Sequence, residues 1–177
     1  QAPTLPDWIE QAAAAAAGPE WLQQRRAAGL DVFAAAGFPT RRDEAWKYTD
    51  LKLVARRSFG AGVAAAPELP AIAGLDCPAL VFVNGRLAGA HDLPAGAGVQ
   101  SLAAAIADGH PACEELLGTL ADPDRHRFAA LSTALFSDGA LLDLAPGVEL
   151  DQPLRLVFLA AAGESPVLDC PRVLIRA

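Results

Sequence analysis

The sequence predicts an α+β fold: a helical N-terminal region with a small β-hairpin over residues 1–139, then a run of short strands over residues 140–177. Three features carry this expectation. Gly, Pro and acidic residues punctuate residues 4–37 as a pair of helices. Asn84-Gly85 separates two strand-like runs, and both residues tolerate positive φ, which makes the pair the strongest two-residue hairpin signal. From Ala140 onward the apolar spacing changes to two, the period of a strand with one buried face.

Each element follows from local chemistry. Thr4 is placed to cap the first helix, with Asp7 where a capping box usually has Glu or Gln. Pro6 falls in the first turn, where a missing N–H costs little. The helix then runs through Trp8, Ile9 and the alanines to Gly18. Pro19 opens a second helix with Glu20 facing its positive dipole end. Leu22, Leu30 and Phe33 form its apolar face, Gly37 caps it and Pro39 prevents its continuation. Residues 60–74 are Ala/Gly/Pro-rich with almost no charge and read as a linker or poorly ordered loop. Ala79 to Val83 is a strand, Arg86 to Ala90 its antiparallel return, and Gly96 to Val99 a turn.

Leu102, Ile106, Leu116, Leu117 and Leu120 suggest two short helices split at Gly109-His110-Pro111. Asp122-Pro123-Asp124 opens another, with Phe128, Leu131, Leu135 and Phe136 on one side and Ser137-Asp138-Gly139 closing it. Beyond it Leu142 and Leu144 alternate with Asp143, and Pro146-Gly147 turns the chain. Val148 and Leu150 follow, then Leu154, Leu156 and Phe158, and finally Val173 and Ile175, at strand spacing. Such a series suits a sandwich, a barrel or the first rungs of a β-solenoid. Leu-Asp-Cys-Pro occurs at 75–78 and again at 168–171, each copy just before a strand, where proline is tolerated.

Composition removes several classes. The chain has 177 residues, enough for one cored domain or two small ones. A net charge of -7 argues against a general nucleic-acid binder. The longest alanine run, Ala12 to Ala17, falls short of the ~20 residues of a membrane span. No cationic segment precedes that run, which argues against a signal peptide. Cys77, Cys113 and Cys170 are an odd, widely spaced set that fits a reducing, cytoplasmic compartment better than a disulfide framework. The chain begins at Gln1 and contains no Met, so a piece of a longer protein is expected. Its last strand would then leave an edge open for self-association.

No spacing points to catalysis or metal binding. The three cysteines form no Cys-x-x-Cys pair, and His91, His110 and His126 are isolated. Asp124, His126 and Ser132 make a poor hydrolase set, because His126 and Ser132 lie six apart on one helix and face away from each other. No Gly-x-Ser-x-Gly elbow occurs. Gly60-Ala61-Gly62 and Gly96-Ala97-Gly98 lack the third glycine of a dinucleotide loop.

The informative segment is 39–57. It holds Trp46, Tyr48 and six basic residues (Arg41, Arg42, Lys47, Lys52, Arg56, Arg57) against three acidic ones in an otherwise acidic chain. Three uses are open. The first is an intramolecular clamp, with the aromatics buried and Arg42 or Lys47 paired to Glu44 or Asp50. A buried Trp46 would then cost about 3–5 kcal/mol on truncation to Ala. The second is a protein interface, where Trp, Tyr and Arg dominate. The third is a base-stacking strip for single-stranded nucleic acid.

The run Gly37-Phe38-Pro39-Thr40-Arg41-Arg42-Asp43-Glu44-Ala45-Trp46-Lys47-Tyr48-Thr49-Asp50-Leu51 strongly resembles the N-terminal signature of the SufD type in the SufB/SufD family. Two more runs, Leu80 to Arg86 and Phe128 to Ala140, fall in the family's order, with Pro146-Gly147-Val148 and Gln152-Pro153-Leu154 continuing it. The SufB type is less similar around Trp46-Lys47-Tyr48. The resemblance implies the N-terminal part of a non-catalytic scaffold subunit for iron–sulfur cluster assembly. It implies the first strands of a right-handed parallel β-helix over 140–177, and partnership with a SufB-like subunit and the ATPase SufC. The cluster is built by the whole complex, and no cofactor or metal is expected in this chain. Arg42, Glu44, Trp46, Lys47 and Tyr48 remain clamp or interface candidates. Two alternatives come from other classes: a fragment of a β-solenoid carbohydrate-acting enzyme, and a binding module using residues 41–57.

Overall fold

The computed structural model describes residues 5–61, 76–93, 98–122, 126–161 and 166–177. Thr4, Asp124, the Gly96-Ala97 part of the expected turn and nearly all of the 60–74 linker lie outside them. The elements in chain order are α1 (Asp7–Ala15), α2 (Glu20–Ala36), a 3-10 turn (Glu44–Trp46), α3 (Lys52–Arg56), β1 (Gly60–Ala61), β2 (Ala79–Val83), β3 (Arg86–His91), β4 (Val99–Ser101), α4 (Leu102–Ala107), α5 (Pro111–Leu116), α6 (Arg127–Leu135), β5 (Gly139–Asp143), β6 (Arg155–Leu159), β7 (Val167–Leu168) and β8 (Arg172–Arg176). The mixed α+β expectation holds. The chain divides into two compact units, Gln1–Gly60 with Gly118–Leu135, and Ala61–Leu117 with Phe136–Ala177.

In the first unit α2 packs against α6. Gly29 permits the approach, because a Cβ there would lie 2.8 Å from the Ala130 carbonyl oxygen. Arg26 is buried and donates from Nη1 to the Ala134 carbonyl at 3.1 Å, which meets an orphan acceptor near the end of α6. The expected cap at Gly37 is present: its φ is 66°, and its N–H donates to the Phe33 carbonyl at 2.7 Å. Pro19 is the capping residue just before α2. Helix α1 ends at Ala15, three residues before Gly18, because the chain turns extended at Ala16. The Ala16 carbonyl is met by Gln23 Nε2 at 2.9 Å.

The second unit holds two three-stranded mixed sheets. In one, β2 lies between antiparallel β3 and parallel β6, in registers that run from Ala79↔His91 to Val83↔Arg86 and from Ala79↔Arg155 to Val83↔Leu159. In the other, β5 lies between antiparallel β4 and parallel β8, with Gly139 opposite Arg172 and Asp143 opposite Arg176. Leu80, Phe82, Ala140 and Leu142 form a core shared by the two sheets. The hairpin turn is as expected, with φ of 48° at Asn84 and 76° at Gly85. Strands β2 and β8 start directly after Pro78 and Pro171, so both Leu-Asp-Cys-Pro copies are strand entries.

The first strands of a right-handed parallel β-helix are expected over 140–177, and no β-helix is seen among the described residues. A β-helix coils successive strands into different sheets and pairs each one, in parallel, with its equivalent one rung on. The parallel β2–β6 and β5–β8 pairs have that sense, but antiparallel β3 and β4 occupy the second side of β2 and β5, so both sheets are mixed and end at three strands. Two smaller expectations also change. Val99 starts β4 instead of closing a turn, and Leu120 is exposed beyond the end of α5. Strand β5 is buried on both faces from Gly139 to Leu142, so the spacing of two there marks no solvent face.

Candidate functional site

The segment that stood out in the sequence folds as a chain of tight turns after α2. Asp43 organises its start. Its Oδ2 accepts from the Thr40 N–H at 2.7 Å and from the Thr40 hydroxyl at 3.1 Å. Its Oδ1 accepts from Arg127 Nη2 on α6, also at 2.7 Å. The Thr40 N–H holds the Asp43 carboxyl below the usual carboxylate range, outweighing burial, and the Thr40 hydroxyl and Arg127 add to it. The 3-10 turn at Glu44–Trp46 then aims the Trp46 ring at Phe128, with centroids 5.2 Å apart. Phe128 belongs to an aromatic cluster with Phe33 and Phe38, to which Trp8 and Phe59 connect through Phe38 and Trp8 respectively.

The sequence candidates divide by exposure. Trp46 is half-buried, whereas Tyr48 is 86% exposed. Glu44 and Lys47 pair with each other at 2.7 Å on the surface. Lys47 Nζ also lies 5.1 Å from the Tyr48 ring centroid. Arg42 is exposed, and its N–H donates to the Thr40 hydroxyl at 3.2 Å. One half of the segment therefore packs on its own unit and the other half faces outward.

The outward half borders a cleft of about 480 Å³. Phe38, Pro39, Leu51 and Ala55, all buried or half-buried, supply its apolar floor. Arg41, Arg42 and Lys52 are exposed along its rim, together with Asp50. Asp50 Oδ1 accepts from the Lys52 N–H at 3.0 Å, which starts α3. Among the described residues none of Arg41, Arg42 and Lys52 forms an ion pair. The sequence showed the basic run, but the apolar floor needed the fold that brings Leu51 and Ala55 back to Phe38.

Sequence reasoning missed a polar hub in the second unit. Asp138, read as part of a helix-closing turn, is buried. Its carboxylate accepts from the Leu87 N–H at 3.0 Å, the Ser101 hydroxyl at 2.8 Å and the Ala103 N–H at 2.9 Å. Its own carbonyl accepts from the Arg172 N–H. One side chain thus ties β3, the β4–α4 junction and β5 together. Asp143 is bound bidentately by Arg176, and that hydrogen bonding is the leading cause of its lowered pKa. His110 lies 3.3 Å from Asp143, and Glu115 lies 3.6 Å from Arg176.

The cysteines are all free; Cys113 is buried, and Cys77 and Cys170 are half-buried. Among the described residues no group of three or more His, Cys, Asp or Glu could hold a metal ion. No described helix is long and apolar enough to cross a membrane.

Comparison with known proteins matches residues 9–156 to the family described as the SufBD protein N-terminal region. The chain is 28% identical over 175 residues to an iron-sulfur cluster assembly SufBD family protein of Synechocystis sp., an alignment that covers 94% of this chain and 38% of the relative. It thus spans under two fifths of that protein's length. With the family model covering most of its length, including the Trp46 segment, both sheets' central strands and α6, this chain belongs to the SufBD family and carries its N-terminal region.

Proposed function

We propose that this chain is the N-terminal part of a SufD-type scaffold subunit for iron–sulfur cluster assembly, acting in the cytoplasm with a SufB-like subunit and a SufC-like ATPase. The role is non-catalytic, and the cluster is the cargo of the whole complex. The match to the SufBD N-terminal region over residues 9–156 carries this reading. The SufD type in place of the SufB type rests on the Trp46-Lys47-Tyr48 run within the signature from Gly37 to Leu51. Within such a subunit the first unit's aromatic cluster gives the Trp46 segment a fixed seat, and that seat sets what its exposed half can present to a partner.

The test is affinity purification of the full-length protein from its own host, followed by mass spectrometry of what stays bound. Recovery of a SufB-like paralogue together with an ABC-type ATPase is the expected result. Recovery of the protein alone would remove the scaffold assignment.

A further inference from the structure

We infer that the cleft between residues 38 and 55 docks a partner segment bearing an apolar anchor flanked by acidic residues. The cleft's volume of about 480 Å³ has room for one or two apolar side chains. Phe38, Pro39 and Leu51 offer them a floor, and Arg41, Arg42 and Lys52 offer three cations on the rim. Those cations form no ion pair among the described residues, and only Asp50 opposes them at the cleft. Three exposed cations thus gather at one cleft, against one carboxylate in its lining, in a chain of net charge -7. An acidic segment would supply further counter-charge.

Two large side chains near these residues in sequence are also exposed. Tyr48 is 86% exposed and Leu53 is 81% exposed, both within the same stretch of chain. Exposed Tyr and Arg beside an apolar depression are the residue types that dominate protein interfaces. The floor decides against single-stranded nucleic acid. Phe38 is the one aromatic ring of the floor, beside aliphatic Pro39, Leu51 and Ala55, so successive bases find no row of rings to stack on, and the chain's net negative charge repels a long polyanion. A short acidic segment brings fewer charges and an aliphatic or aromatic anchor that fits the floor. This inference stands on the cleft alone and survives if the scaffold reading fails.

The experiment selects a phage-displayed library of random dodecapeptides on the full-length protein, with R41E/R42E as the counter-selection target. Enriched peptides are expected to carry Leu, Ile, Phe or Trp between Asp or Glu residues. As labelled synthetic peptides they should bind the wild type about 10-fold more tightly than the double variant, and more weakly as NaCl is raised. Unchanged circular dichroism and thermal midpoint would show that the variant is folded. If R41E/R42E does not fold, R41Q/R42Q takes its place with a smaller loss expected in the same direction. No enrichment, enrichment of neutral or basic sequences, or equal binding to wild type and variant would overturn the proposal. Tighter binding of a labelled dT12 would overturn it in favour of nucleic acid. A concentration-dependent dimer abolished by R41E/R42E, with no peptide binding, would overturn it in favour of a second copy.

Discussion

At Cys170 burial opposes formation of a thiolate, the neighbouring Asp169 carboxylate opposes it further, and the pKa is pushed up to about 11 despite the counteracting Arg172 charge. Because the thiolate is the nucleophile, Cys170 should resist iodoacetamide at pH 8 in the folded protein and react rapidly once guanidinium unfolds the chain. The folded pKa lies above the unfolded one, so this group's contribution to stability is intact below about 8.5 and lost as pH rises from there towards 11. Peptide mapping after a timed pulse reads the first expectation, and rapid native-state labelling of Cys170 at pH 8 would refute it. Asp138 is the other decisive side chain. Replacing it with Ala leaves two backbone N–H groups and the Ser101 hydroxyl without their acceptor. Asp138→Ala should cost about 3 kcal/mol in urea unfolding, more than a lone surface carboxylate would. Nothing local announces this role, because its donors lie 35 to 51 residues away. Asn84-Gly85 and Gly37, by contrast, were legible, because a positive φ is a property of the residue itself.

Among the elements, the Trp46 segment packs on its own unit through Trp46 and leaves Tyr48 exposed. The Trp46 ring meets Phe128 at 5.2 Å but stays half-buried, so Trp46→Ala should destabilise by about 2 kcal/mol, less than a fully buried ring would cost. An unchanged urea midpoint would show that the contact holds nothing. Acid should loosen the same segment through Asp43. Its folded pKa is depressed, so its contribution is complete above the unfolded value of about 3.9 and is lost as pH falls through the folded value. Asp43→Asn should remove that acid dependence from Trp46 fluorescence in a variant with Trp8 and Trp21 replaced by Phe. The helix pair of residues 4–37 was readable from Gly and Pro punctuation. The sheets were only partly readable. Strand β6 pairs with β2 across 76 positions, and parallel pairing has no turn chemistry to mark it. Strand β4 is three residues long, too short for a hydrophobic period to show.

For the molecule as a whole, the two mixed sheets raise the question of what covers their edges. Among the described residues β6 and β8 each have a single strand neighbour. Strand β8 shows why the sequence could not settle the matter. Its alternation was plain, but Leu174 turns to the core, while Val173 is 44% exposed and Ile175 is 56% exposed. A period of two fixes which residues share a face and leaves open which face is buried. An edge strand with two exposed β-branched apolar side chains is a template for another strand, and its flanking Arg176 is already engaged by Asp143. The 177-residue chain should therefore self-associate with rising concentration. Ile175→Lys should shift it towards monomer, because a lysine on an edge opposes strand addition. Gel filtration with light scattering reads both outcomes. A wild-type chain that stays monomeric at every concentration would mean that the β8 edge is not adhesive, and that its exposed pair serves no strand partner.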